Sequence, residues 1–87
     1  MNDKPVKTFR DAEDRAVAAS IWLRQTATSQ FYDVTFSRAW KDQDSGDSGY
    51  SQNFAGRNLD AVVRVASDAL AWVENAKRNA DATDQAA

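Results

Sequence analysis

The sequence AVAASIWLRQ, residues 16–25, alternates between two kinds of side chain. Val17, Ala19, Ile21 and Leu23 fall on one parity, and Trp22 falls on the other among small and polar residues. A period of two with β-branched and aromatic residues is typical of a half-buried strand. This stretch therefore predicts a β-strand with one face in the core, and the rest of the fold is placed relative to it.

A second alternating segment occupies residues 31–41, after the short polar connection 26–30. Tyr32, Val34 and Phe36 lie on its apolar parity. A connection of this length between two alternating segments predicts a hairpin.

Shorter elements flank this hairpin. Residues 50–54 predict a further strand, and residues 6–10 predict either a first strand or an arm outside the sheet. The segment DQDSGDSG at 42–49 predicts a loop. Its three aspartates superficially resemble a calcium loop, but the glycine and the final glutamate of that motif are missing from the required positions. A hairpin loop is therefore the interpretation that we adopt.

The hydrophobic period changes after Gly56. Asn58 is a good N-cap, and an apolar stripe at helical spacing follows it. We predict a helix over 58–78, a flexible N-terminus at 1–5 and a disordered tail at 79–87. The stripe consists of Leu59, Val62, Val63, Ala66, Leu70 and Val73.

Together these elements predict an α+β fold in a single domain, residues 6–78. Short connections favour an antiparallel meander of three or four strands, followed by one long C-terminal helix that packs on one face (ββββα). The other face of the sheet is then left open.

Composition excludes most catalytic chemistry. The chain has neither cysteine nor histidine, so thiol and histidine catalysis and the usual zinc sites are excluded. Its three glycines form no phosphate-binding loop. We therefore predict a protein that is not an enzyme and that has no cofactor, no metal site and no catalytic residue.

Neither a membrane span nor a secretory leader is visible, which predicts a cytoplasmic protein. The formal net charge of −2 counts against sequence-independent coating of DNA, which requires a basic excess. A local basic face remains compatible with this charge.

The open face of the predicted sheet is a candidate binding surface. An aromatic ring among hydroxyls and cations suits single-stranded nucleic acid, because bases stack on the ring and cations follow the phosphates. Arg38 has the apolar parity, so it joins this face only if the strand leaves the core or a bulge shifts the phase. The alternative is that Trp22 is covered by the N-terminal arm or by a partner subunit. The predicted nucleic-acid-binding residues are Lys7, Trp22, Arg24, Arg38 and Lys41.

The helix has a wider apolar arc than one sheet needs, which predicts a homodimer. The residues that extend the arc, and so the predicted dimer interface, are Val65, Ala69, Trp72 and Ala76. The alternative is that Trp72 closes the core against a loop.

Two functions from different classes remain, beside a third interpretation as an orphan structural domain or an enzyme accessory. The first is a small binding module for single-stranded nucleic acid, related to transcription. The second is a protein-interaction or inhibitor protein, such as an anti-defence protein of a mobile element, that uses an exposed sheet edge or the acidic segment 42–47. The first function predicts that the seven basic residues of 1–41 share one face of the sheet. The second predicts that they are scattered and paired with acids.

Several segments together resemble a group of small, uncharacterised bacterial proteins. They are KPV and FR near the N-terminus, ASIW at 19–22, YDVTFSR at 32–38, WKD at 40–42, Phe54, and an Ala/Val-rich helix with Trp72-Val73. The resemblance covers most of residues 4–74 and implies a shared fold without an activity or site residues. Separately, the order ββββα is similar to PC4/Whirly-like single-stranded-DNA-binding domains, which implies binding on the sheet and dimerisation through the helix.

Overall fold

The computed structural model describes residues 4–86, with side chains described for residues 4–79. A four-stranded sheet contains β1 (Lys7–Arg10), β2 (Val17–Gln25), β3 (Gln30–Lys41) and β4 (Ser48–Ser51). A 3-10 turn, Gly56–Asn58, leads into the helix α1 (Leu59–Ala86). Neighbouring strands are antiparallel and lie in sequence order. The predicted ββββα meander is confirmed, and the first segment belongs to the sheet.

The β2–β3 hairpin is the centre of the sheet. β2 pairs with β3 along its whole length, with Ile21 opposite Val34. The turn between them is closed by Thr26, whose backbone N–H donates to the Ser29 carbonyl at 2.7 Å. The Thr26 hydroxyl also accepts the Ser29 N–H at 3.0 Å. A polar turn that satisfies its own backbone groups fixes the register, and the register puts the apolar parities of both strands on one face.

Small side chains form the buried core between β2 and α1. Short residues let the helix lie close to the sheet, and larger partly buried side chains such as Phe9, Phe36 and Phe54 close the edges of this layer. The fully buried cluster consists of Val17, Ala19 and Ile21 from β2 with Ala61, Val65 and Ala69 from α1.

Part of the predicted core stripe of the helix is rotated away from the sheet. Leu59, Val63 and Leu70 are 53%, 67% and 61% exposed. The narrow space above the small residues of β2 accommodates Ala61, Val65 and Ala69, and it leaves the leucines outside. The stripe prediction was therefore wrong for these three residues, whereas Val62 and Val73 pack against the core cluster as predicted.

The predicted dimer interface is wrong for the same reason. Val65 and Ala69 are 0% and 2% exposed and belong to the core. The Trp72 ring contacts the Tyr32 ring edge-on, with centroids 5.4 Å apart, and packs against the core cluster. Ala76 is half-buried. Val65, Ala69 and Trp72 are therefore used within the chain and do not form a surface for a second subunit.

An ion pair between the buried Asp11 and the partly exposed Arg64 ties the β1–β2 connection to the helix. The Asp11 carboxylate is 4% exposed and accepts hydrogen bonds from Arg64 Nε at 2.7 Å and Arg64 Nη2 at 2.9 Å. It also accepts the backbone N–H of Asp14 at 2.8 Å and of Glu13 at 3.2 Å. The Arg64 hydrogen bonds and these backbone donors hold the pKa of Asp11 well below its usual range. This connection is therefore an ordered turn that the ion pair holds against α1.

The start of the helix is fixed by a second contact with the same turn. Asn58 is buried, its side-chain amide donates to Asp14 Oδ2 at 2.5 Å, and its side-chain oxygen accepts the Ala55 N–H at 3.2 Å. Asn58 thus closes the turn before Leu59, where α1 begins, close to the predicted start.

The helix ends later than predicted. It continues past 78 to Ala86, so the backbone of the segment expected to be a disordered tail is helical through Ala86. Alanines recur in this segment and no glycine or proline interrupts it, which favours continued helix. Of the flexible N-terminus predicted at 1–5, residues 1–3 lie outside the described residues. Within residues 4–86, no helix has the combination of length and apolar character that crossing a bilayer requires.

Candidate nucleic-acid interface on the open sheet face

The face of the sheet that points away from α1 is called the open face below. Its members follow from the strand register, because side chains directly opposite one another on paired strands lie on the same face. Thr8, Ser20 and Thr35 form one row across three strands, and Arg10, Ala18 and Ser37 form the next. Trp22 and Asp33, Arg24 and Phe31, Ala39 and Tyr50, and Lys41 and Ser48 are the other opposed pairs.

Three of the five predicted binding residues lie on the open face: Trp22, Arg24 and Lys41. The placement of the other two was wrong. Lys7 lies opposite Ile21 on the helix side, with its ammonium 5.2 Å from the Phe9 ring centroid. Arg38 lies opposite Val17, also on the helix side.

The contacts of Arg38 explain why it stays on the helix side. Its Nε donates to the Asn53 carbonyl at 2.9 Å. The regular pairing through Ala39 and Trp40 to β4 contains no bulge that would move it to the other face. Arg38 can therefore stay on the apolar side of β3, because a backbone carbonyl at the end of the core accepts its hydrogen bond.

One cation and two aromatic rings of the open face were missed by the predicted set of binding residues: Arg10, Phe31 and Tyr50. Phe31 shares the parity of Asp33 and Thr35, so strict alternation would have found it. Arg10 and Tyr50 depend on how β1 and β4 pair with their neighbours. No periodicity within such short strands reveals that register.

Trp22 forms a polar cluster at one end of the open face. Its indole Nε1 donates to Thr35 Oγ1 at 2.9 Å, which fixes the ring across the sheet towards β3. The Arg24 guanidinium lies 5.2 Å from the Trp22 ring centroid, within cation–π range. The same Arg24 is 3.6 Å from Asp33 Oδ2. The ring is therefore held within this chain, and Arg24 extends a second flat group over it.

Hydroxyl groups occupy the middle of the open face. Thr8 Oγ1 and Ser20 Oγ are 3.3 Å apart, and Thr35 and Ser37 continue the patch on β3. Short side chains keep the surface flat, and hydroxyls both donate and accept hydrogen bonds. The centre is therefore an even polar floor between groups of larger side chains.

The most exposed aromatic rings lie towards the two ends of this floor. Phe31 is 51% exposed beside Trp22, and Tyr50 is 74% exposed opposite Ala39. At about 3.3 Å per residue, the eight steps from Phe31 to Ala39 along β3 span roughly 26 Å. An extended ligand that contacts both rings must therefore follow β3 across the hydroxyl patch.

The open face has a different charge from the protein as a whole. Arg10, Arg24 and Lys41 are its cations, and Asp33 is its acid. The complete chain has a net charge of −2. The acids of Asp42, Asp44 and Asp47 lie in the β3–β4 loop, which begins directly after Lys41.

That loop has the predicted hairpin geometry. The Asp42 N–H donates to the Asp47 carbonyl at 2.7 Å, and the Gly46 N–H donates to the Asp42 carbonyl at 2.8 Å. Gly46 adopts a positive φ of 79°, which favours glycine. The Asp42 carboxylate accepts the Asp44 N–H at 3.0 Å. The aspartates thus close the turn through local hydrogen bonds.

Within residues 4–86, no strand pairs with one side of β3 over most of its length. β4 pairs only with the stretch from Arg38 to Lys41, whereas β2 pairs with β3 from Gln30 onwards. Where β4 departs, a shallow depression of about 580 Å³ opens between the strands. It is lined by Thr35, Phe36, Ser37, Tyr50, Ser51, Gln52 and Asn53.

In comparisons with known proteins, the chain matches no family model, no curated protein and no solved structure. The resemblance to small bacterial proteins and to PC4/Whirly-like domains stays a prediction. The arguments on function that follow therefore rest on the residues of this chain.

Proposed function

We propose that this protein binds single-stranded nucleic acid on the open face, without catalysing a reaction. The observation that carries the proposal is the combination of exposed rings at two ends of a flat polar floor with a local excess of cations. Phe31 and Tyr50 supply rings that no other described side chain covers fully. Unstacked bases bind such rings irrespective of sequence, and each stack contributes about 1–3 kcal/mol.

The cations are placed to follow a phosphate backbone. Arg10 lies on β1 where it pairs with β2, and Lys41 lies on β3 where it pairs with β4. Arg24 lies directly across from Phe31. Arg10 is held by a hydrogen bond from Nη1 to the Arg15 carbonyl at 2.7 Å, so it is preorganised next to the floor. Three phosphate contacts predict a salt dependence of about −2 in log–log slope, at about −0.7 per contact for single strands.

Single strands fit this face better than a duplex does. A flat sheet does not enter a groove, whereas splayed bases need flat rings and hydroxyl or amide partners. The hydroxyls of Ser20, Thr35 and Ser37 would contact base edges or sugars between the two rings. The proposal therefore excludes tight binding to double-stranded DNA.

The test is fluorescence anisotropy with labelled oligothymidylates of increasing length, in single- and double-stranded form, over a series of salt concentrations. Tyr50→Ala and Phe31→Ala should each weaken binding by about 5- to 150-fold, the equivalent of one lost stack. Lys41→Gln should also lower the salt slope by about one contact.

Lys7→Gln is the matched control, because it removes the same charge from the helix side of the sheet. It should leave the affinity and the salt slope unchanged. No binding at low salt would overturn the proposal, and so would equal effects of Lys7→Gln and Lys41→Gln.

The free side of β3 favours a second function, the binding of an extended protein segment. The Ala39 N–H donates to Ala16 in the direction of β2, at 2.8 Å. Backbone groups of successive residues point to opposite sides of a strand. Those of Tyr32, Val34 and Phe36 therefore point away from β2, where no described strand pairs with them. A peptide that adds a strand here gains main-chain hydrogen bonds.

The two edges of the sheet differ in how well they resist such pairing. β1 is a four-residue strand with a cation at each end, Lys7 and Arg10, and short charged edges discourage strand addition. The free part of β3 is longer and richer in aromatic and β-branched residues. This makes β3 the edge for an interaction or inhibitor function, with the depression beside Phe36 as a pocket for one partner side chain.

Peptides selected from a linear library provide the probe for this second function. A bound peptide should slow hydrogen exchange at the amides of Tyr32, Val34 and Phe36, and leave Asp33 and Thr35, which already face β2, unchanged. Selection of no peptide, or protection confined to the open-face loops or the helix, would reject strand addition.

A further inference from the structure

The outer side of α1 has a second apolar stripe, most of which the sheet leaves uncovered. Leu59, Val63 and Leu70 are more than half exposed. Ala66 lies half-buried at its margin, and Val73, also half-buried, packs partly against the core cluster. Their spacing is four, three, four and three residues. This is the spacing with which one helix packs along another.

The small core gives this stripe a role in stability. The fully buried side chains are alanine, valine and isoleucine, while two leucines of α1 point outwards. Domains of this size have little apolar area to bury and are commonly stabilised by association. The residues that would add most to a core are thus on the surface where a second helix would cover them.

The charged residues beside the stripe are complementary between two copies of the helix that run antiparallel. Asp60 lies near the N-terminal end, next to the Asp11, Glu13 and Arg64 cluster, whose two carboxylates exceed its one guanidinium. Glu13 is exposed on that side. This end of the stripe is therefore acidic.

The other end of the stripe carries two exposed bases, Lys77 and Arg78, and one exposed acid, Glu74, among the side chains described up to residue 79. An antiparallel copy brings Asp60 against Arg78 of the other chain, twice by symmetry, and a parallel copy brings like ends together. Opposed charges favour the first arrangement and disfavour the second.

The charges and the apolar residues give nearly the same alignment. Asp60 and Arg78 are equidistant from position 69. Val63 and Val73, like Ala66 and Leu70, are equidistant from position 68. The two centres lie one residue apart, so the two alignments differ by two residues, or roughly 3 Å along the helix. One pairing thus satisfies both sets of contacts.

We propose that two copies of this chain associate through the exposed stripe of α1, antiparallel, with Leu70 next to the two-fold axis. This surface is distinct from the helix face that packs on the sheet. It leaves both open faces on the outside of the pair, so the proposal stands or falls independently of nucleic-acid binding.

Sedimentation over a range of concentrations tests association. The mass should rise from 9.6 kDa to twice that value. Leu70→Glu should keep it at 9.6 kDa, because it places two carboxylates at the axis. Ala71→Glu is the matched control: Ala71 is also exposed but lies beside the stripe, so this variant should still associate. Circular dichroism establishes that each variant folds.

Charge exchange and cross-linking test the direction. Asp60→Lys should weaken association, and adding Arg78→Asp should restore it. The described chain has no cysteine, so an introduced one reports alone. Two Asp60→Cys chains should not form a disulfide, because antiparallel helices separate their residues 60 by roughly 26 Å. Leu70→Cys should form one.

A monomer at every concentration would overturn the proposal, as would a dimer that survives Leu70→Glu. A disulfide between two Asp60→Cys chains would show a parallel pair and overturn the antiparallel assignment. Failure of nucleic-acid binding would leave each of these results unaffected.

Discussion

Two valines of α1 provide a direct test of which side of the helix faces the sheet. Val65 is 0% exposed and Val63 is 67% exposed, and they lie two positions apart on one helix. Changing either to alanine removes the same two methyl groups and gives the same gain in helix propensity. The difference between the two variants therefore isolates burial.

The expected difference follows from the lost apolar contacts. Each buried methyl group is worth about 0.8 kcal/mol, and the cavity left behind adds to the cost, so Val65→Ala should lose about 2–3 kcal/mol of unfolding free energy. Val63→Ala should change it by about 0.5 kcal/mol or less. A chain of 87 residues has roughly 4–13 kcal/mol in total, so the first loss is a large share.

Urea unfolding followed by circular dichroism measures both values. The protein concentration is kept where the wild type sediments as a monomer, so that a contact between copies at Val63 does not contribute. Equal losses in the two variants would refute the assignment of Val65 to the core, and a larger loss in Val63→Ala would reverse it.

Two further predictions concern the ion pair and the β3–β4 hairpin. Because the folded pKa of Asp11 lies below its unfolded value near 3.8, its contact with Arg64 stabilises the fold above about pH 4 and is lost as the pH falls towards the depressed pKa. Asp11→Asn should lower stability at neutral pH and flatten the acid dependence, and parallel stability curves for the two proteins would contradict this. Gly49→Ala should cost about 1–3 kcal/mol in thermal or urea unfolding, since its new Cβ would lie 3.0 Å from the Trp40 ring. Gly56→Ala, with nothing within 4 Å of its Cβ, is the control, and equal losses would argue against a clash at Trp40.

Sequence periodicity was sufficient for the order of elements and for the face of the two long strands. Alternation over nine or more residues determines which side of a strand is apolar. Ile21 and Val34 were therefore placed correctly on one face of the sheet, and Trp22 and Thr35 on the other. The shorter β1 was harder. Lys7 was wrongly assigned to the open face. The pairing of a four-residue strand is set by the turn that follows it, here the turn built on Asp11, and its own periodicity does not reveal that pairing.

The rotation of the helix was not predictable from hydrophobicity alone. With apolar residues over half of its circumference, both the side of Leu70 and the side of Val65 are compatible with burial. The choice depends on the depth of the space above Ala19, which is a property of packing between elements. The same limit hid Tyr50, whose place on the open face depends on the pairing of β4 with Ala39.

The meander order has a consequence for how the protein is synthesised. All four strands are translated by Ser51, but the helix face that covers them is complete only at Ala69. At about 5–20 residues per second, the ribosome needs roughly 1–4 s to add those residues. During that interval Val17, Ala19 and Ile21 lack the helix residues that cover them in the folded protein. The last third of the coding sequence therefore encodes the helix that covers the strands translated before it.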